Sequence, residues 1–335
     1  EREKVVMKRA IVLSLLVWSA HIVAAEEKKS LMHYVEDEAR IVVMRGEKPI
    51  FQYNKKPTEE AANHEPHFTR SGYIHPVYSP SGKEVSGDFA DDHKHQHGLF
   101  FAWTKTKFEG RKTEFWNQKL EAGRVSFSKK HRKGSHSGRE KCQIIVEQLW
   151  EDIRAPGGPK PVLKETWKIT THDAGEDRFV FDIESAQWLI GEKPLTIEKY
   201  HYGGMAFRGN DQWLNPDKEA APPATMLTSG GLGRIEGNHS RPKWVAMEGF
   251  IDEGKAGIAI LAHPQNFRFP QWVRLHPNKP YFVFAPMVEE PFQITAGKAY
   301  VSRYRYVVYD GEVGAPELDE KWAEYGAAGN GKAER

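Results

Sequence analysis

Leu163-Lys164-Glu165-Thr166-Trp167-Lys168-Ile169-Thr170 decides the fold class. Leu163, Glu165, Trp167 and Ile169 recur at every second position, the period at which a strand returns a side chain to the same face. Gln143 to Trp150 repeats the pattern upstream, and Ala155-Pro156-Gly157-Gly158-Pro159 between them is a turn cluster. Downstream, Phe179, Phe181 and Ile183 alternate with Val180, Asp182 and Glu184, as in a half-buried strand.

Working outward, nearly every apolar segment carries the same period and is bounded by turn residues. Arg40 to Met44 and Pro49 to Tyr53 flank Gly46 as a hairpin, and Tyr73 to Tyr78 runs into Ser79-Pro80-Ser81-Gly82. Further strands are expected at 97–103, 113–117, 124–128, 201–208, 244–251, 257–262, 271–275, 281–284 and 300–309. The one convincing helix is short, Pro316 to Tyr325, with Pro at its start and acids in its first turn. These features predict an all-β fold, a large two-sheet antiparallel β-sandwich with a short C-terminal helix. No Pro/Ser-rich linker divides residues 26–335, which read as a single β-sandwich domain.

Met7 opens a secretory pattern: Lys8 and Arg9, an apolar run from Ala10 to Ala20, and the small-residue site Val23-Ala24-Ala25. Residues 1–25 therefore read as a signal peptide with upstream residues, and the rest as periplasmic or extracellular with no membrane span after cleavage. The chain has 48 Lys and Arg against 46 Asp and Glu. The leader removes four basic and two acidic residues, which balances the remainder and argues against a nucleic-acid partner. The one dense basic run, Lys129-Lys130-His131-Arg132-Lys133, sits among Gly and Ser and reads as a solvated loop. Cys142 is the sole cysteine, so no internal disulfide is available.

Asp92-His93-Lys94-His95-Gln96-His97-Gly98 carries the chemistry. Read as a strand, it points His93, His95 and His97 to one face about 6.5–7 Å apart, so that two of them can share one metal but not all three. His75, His201, His239 and His263 are then candidates for a third ligand. Without a metal, the same imidazoles serve as general acids and bases and hydrogen-bond sugar hydroxyls. In Tyr200-His201-Tyr202-Gly203-Gly204 the paired glycines mark a bulge or a close approach beside a pocket lip. Arg208 can clamp a carboxylate, His263 ends a strand at a polar turn, and Trp116 offers a flat platform for a sugar. Gly231 to Gly237 lacks the following helix of a dinucleotide loop.

These residues, with Phe207-Arg208, Ala262-His263-Pro264, Trp272, Tyr304-Arg305 and Asp310-Gly311, resemble the PmoA-like family of exported bacterial proteins. Lys94 stands where that family usually has Pro. The resemblance implies a fold similar to the galactose-mutarotase-like super-sandwich, which houses sugar epimerases and polysaccharide lyases.

The expectation is an exported carbohydrate-active enzyme, an epimerase, lyase or hydrolase, binding a small sugar or oligosaccharide. His95, His97 and His201 are its acid/base candidates, and His75, His93, Trp116, Tyr202, Arg208 and His263 its substrate contacts. No cofactor is called for beyond the open metal alternative. The rivals are a non-catalytic glycan-binding protein and, as the family's name suggests, a metal-dependent oxidoreductase.

Overall fold

The computed structural model describes residues 31–214 and 223–328. The expected signal peptide lies outside them. Among the described residues twenty strands form three sheets, and every pairing is antiparallel. The all-β sandwich is as expected; the small third sheet was not foreseen.

One eight-stranded sheet runs Met32–Glu36, Arg40–Arg45, Lys48–Asn54, Tyr73–Val77, Leu99–Ala102, Gly204–Arg208, Tyr281–Phe284 and Val273–Leu275 in spatial order. The other runs Thr225–Thr228, Trp244–Ile251, Gly254–Ala262, Tyr300–Asp310, Arg178–Leu189, Lys160–His172, Lys141–Asp152 and Gly123–His136. Aromatic side chains close the space between them: the Phe51 and Phe181 rings lie 4.9 Å apart, Tyr53 and Trp167 6.1 Å. The helix Ala315–Ala328 packs on the second sheet through buried Leu318 and Tyr325, and Trp322 donates to the Ala262 carbonyl at 2.8 Å.

Leu163, Glu165, Trp167 and Ile169 are buried together, as their period requires. Glu165 is the polar exception, fully buried in the core. Its carboxylate accepts from Trp150 Nε1 at 2.8 Å, Trp167 Nε1 at 2.7 Å, Ser185 Oγ at 2.5 Å and Gln187 Nε2 at 3.2 Å. Burial pushes its pKa up while these donors pull it down.

Four local readings need correction. Residues 91–95 form two consecutive turns, His97 makes an isolated antiparallel bridge to Asp88, and the strand begins only at Leu99. The strand expected at 113–117 stops at Thr113, because the Glu114 carboxylate takes the amides of Trp116 and Asn117 at 3.1 and 3.2 Å and bends the chain. The strand expected from His201 starts at Gly204. Gly203 and Gly204 have φ of +130° and +126°, and a Cβ on Gly204 would lie 2.4 Å from the Phe284 carbonyl. The basic run 129–133 is strand, not loop: Gly123–His136 pairs with Lys141–Asp152 across two irregularities in register. It is the sheet's edge, where exposed lysines discourage pairing with another chain.

Candidate functional site

The turns and the bridge within 91–98 place the histidines by hydrogen bonding rather than by strand alternation. The His93 amide donates to Ala90 O at 2.8 Å, Gln96 to His93 O at 2.9 Å, and Gly98 to Gly87 O at 2.8 Å. The result separates the three imidazoles. The His93 and His95 rings stay together, 5.4 Å between centroids. His97 turns inward and is fully buried, with Nδ1 2.6 Å from Asp88 Oδ1 and Nε2 3.2 Å from Gln118 Oε1. Both its ring nitrogens are occupied, so it braces the turn and does not face the cavity.

His93 and His95 open onto a cavity of about 150 Å³. The tail of the Val273–Leu275 strand contributes Arg274 and His276, whose ring lies 6.1 Å from that of His93. The segment before Gly203 brings His201 and Tyr202. Trp116 and Tyr281 supply apolar wall, the Trp116 ring 5.2 Å from Tyr202 and 5.8 Å from Tyr281. Gln96 and Asn117 complete the lining, and His239 stands behind His201 at 6.3 Å.

An ion-pair network fixes the floor. Asp92 accepts from Arg208 Nη2 at 2.9 Å and Lys279 Nζ at 2.5 Å, and faces His93 Nδ1 at 3.0 Å. Burial acts to raise the Asp92 pKa, but the His93 hydrogen bond and the two cations outweigh it and hold the group well below the usual carboxylate range. Asp92 thus fixes the His93 ring through Nδ1 and leaves Nε2 without a protein hydrogen bond among the described residues. Arg208, expected to touch substrate, is instead a fully buried anchor for Asp92 and Gln96.

Burial, with neighbouring His93 and His97, depresses the His95 pKa to about 3. Burial, then Arg274 and His93, does the same to His276, again to about 3. His201 is also lowered, by burial and then by Arg274 and His239. Burial raises the Tyr202 phenol to about 12 despite a hydrogen bond with Asn117. Near pH 7 the cavity therefore presents the neutral imidazoles of His95, His201 and His276 and the Tyr202 phenol around the Arg274 guanidinium. Neutral imidazole both donates and accepts, as hydroxyl recognition requires.

Of the expected site residues, His93, His95, His201, Tyr202 and Trp116 converge here. The others do not. His75 lies against Ser86 Oγ at 2.9 Å and Glu84 at 3.3 Å, at an open groove of about 810 Å³ lined largely by charged surface residues. That groove is larger, but it lacks the convergence of imidazole, phenol and indole found in the smaller cavity. His263 is buried under the C-terminal helix, its ring 4.9 Å from Tyr325, with Nδ1 accepting from the Gln265 amide. Arg274, His276 and Tyr281 were missed. His276-Pro277 is a His-Pro pair like His75-Pro76 and His263-Pro264, which was the available signal. Among the described residues no three His, Cys, Asp or Glu side chains are grouped to hold a metal ion.

A family profile matches residues 40–323, most of the chain. The chain belongs to DUF6807, a family of unknown function. This corrects the expected PmoA-like membership, for which the match offers no support. No curated protein matches the chain. Among solved structures, heparan sulfate lyase HepC from Pedobacter heparinus is similar at 10% identity and a TM-score of 0.32, covering 82% of this chain and 34% of that one. Heparinase III follows at 10% identity and 0.29, covering 83% and 36%. The chain thus spans about a third of the length of these structures. Among the described residues no helix is long and apolar enough to cross a membrane.

Proposed function

We propose that this DUF6807 protein is an exported carbohydrate-active enzyme that binds a sugar unit in the histidine cavity and transfers a proton there. The carrying observation is the Asp92–His93 pair, in which a charged carboxylate holds one ring nitrogen and leaves the other free toward the cavity. That arrangement suits a general base, because the carboxylate fixes the tautomer and stabilises the imidazolium that forms. His93 takes this role in place of His97, whose nitrogens are both engaged. His95 and His276 stay neutral and hydrogen-bond hydroxyls. Arg274 stabilises negative charge as it develops. Trp116 packs against a ring face. The leader pattern at 7–25 supports export.

The test is a screen of His93→Ala and wild type for glycan binding and turnover. Turnover should fall by about 10²-fold or more, while affinity changes far less. Unchanged turnover removes His93 from the mechanism. Binding by the wild type with no product from any glycan assigns the cavity to recognition alone.

A further inference from the structure

Arg274 stands in the histidine cavity with no ion pair or hydrogen bond to protein among the described residues. Its charge is felt by His201, His239 and His276, whose protonation it opposes. The acid of the cavity floor cannot serve it: Asp92 is already taken by Arg208, Lys279 and His93. A half-buried guanidinium without a counter-charge is costly, and an incoming anion relieves the cost.

The cavity does not end at its own wall. Asn117 also lines a second hollow of about 390 Å³, and Tyr200 of that hollow touches Tyr202 of the first, ring centroids 4.8 Å apart. Singly the first cavity is smaller than ordinary ligand sites; together the two fall within the roughly 300–1,000 Å³ such sites occupy. The second hollow is basic. Lys105 holds its ammonium 4.0 Å over the Tyr200 ring, and neither it nor Lys112 has a carboxylate partner among the described residues. The Arg154 guanidinium donates to the carbonyls of Leu120 and Glu121 and has no carboxylate partner among the described residues. The acids there are already engaged. Glu198 pairs with Lys107, and buried Glu114 accepts from Thr104 Oγ1 and from the amides of Lys105, Trp116 and Asn117.

We infer that the two cavities form one elongated site whose ligand is an acidic oligosaccharide, one anionic group meeting Arg274 and the next meeting Lys105 and Lys112. The inference rests on the glycan reading above and adds the charge and length of the substrate. Carboxylate and sulfate share the oxygen geometry a guanidinium recognises, so both belong to the class.

A glycan array of neutral, uronate-bearing and sulfated oligosaccharides, disaccharides and longer, tests it at low and physiological ionic strength. The wild type should bind acidic glycans only, more weakly as salt rises. Which acidic arm binds identifies the anion. Arg274→Gln should lose about tenfold or more on every acidic glycan, as charged hydrogen bonds warrant. The surface variant Lys105→Gln/Lys112→Gln should weaken the longer chains and spare the disaccharides. Thermal melting confirms that each variant is folded. Neutral glycans binding as well as acidic ones, or an Arg274→Gln variant that binds like wild type, overturns the inference and leaves the glycan reading standing. A double lysine variant indistinguishable on long chains overturns the second subsite. An array on which nothing binds removes the glycan reading itself.

Discussion

Arg208, wholly buried, donates to Asp92 at 2.9 Å across 116 residues of sequence. The contact ties the Gly204–Arg208 strand to the histidine turns, and Asp92 passes the constraint on to His93 and Lys279. A single carboxylate therefore organises the floor of the cavity.

Replacing that carboxylate tests the arrangement. Asp92→Asn removes the nearest counter-charge of a buried guanidinium, leaving it the neutral Gln96 acceptor at 3.2 Å and the more distant Asp211 at 3.3 Å. The expected cost is about 3 kcal/mol, read as a drop in urea midpoint at unchanged m-value. A variant as stable as wild type means that Arg208 does not depend on Asp92.

Arg274 should govern the titration of its neighbours. Arg274→Gln removes a charge that opposes protonation of His201 and His276. Their imidazole resonances should then titrate at higher pH in NMR. His75 is the internal control, since burial, Asp88 and His97 set its pKa and Arg274 does not. A shift at His75 equal to that at His276 would point to a general loosening.

Acid should destabilise the protein through the same imidazoles. His95 and His276 have pKa values of about 3 in the folded chain against about 6.5 when unfolded. Below pH 6.5 the unfolded chain gains protons that the folded one refuses, so stability falls from there until about pH 3. Glu84 acts in the opposite sense. Burial, then Asp88 and Asp211, raise it to about 7, so its contribution weakens as pH rises from the ordinary carboxylate value near 4.5 toward 7. Melting curves from pH 4 to 8 should show His95→Gln/His276→Gln less acid-sensitive than wild type, and Glu84→Gln gaining most on the alkaline side.

Two glycines separate backbone strain from steric demand. Gly98 has φ of +47°, and a Cβ there would lie 2.2 Å from the Ile74 carbonyl oxygen. Gly46 has φ of +57° and open space around it. Gly46→Ala should cost about 1–2 kcal/mol, the price of a left-handed conformation for an L-residue. Gly98→Ala must also push apart the Tyr73–Val77 and Leu99–Ala102 strands, and should fail to accumulate as soluble protein. Equal melting temperatures for the two would refute the distinction.

The sequence by itself determined the sandwich. Leu163, Glu165, Trp167 and Ile169 reveal their shared face because a strand's side chains alternate with a period fixed by the backbone. The hairpin around Gly46 and the Trp244–Ile251 and Tyr281–Phe284 strands were legible for the same reason. The histidine row kept that period, yet the backbone there folds into turns. Long-range contacts decided the outcome: Asp88 and Gln118 hold His97, Arg208 holds Asp92, and Gly98 passes beneath Ile74. Tertiary structure also brought Arg274 and His276 to His93 from almost two hundred residues away, and sent His263 beneath the helix. Local periodicity reports the face a side chain takes within its own strand. Which imidazoles share a cavity, and which are consumed in bracing it, depends on pairings between distant segments.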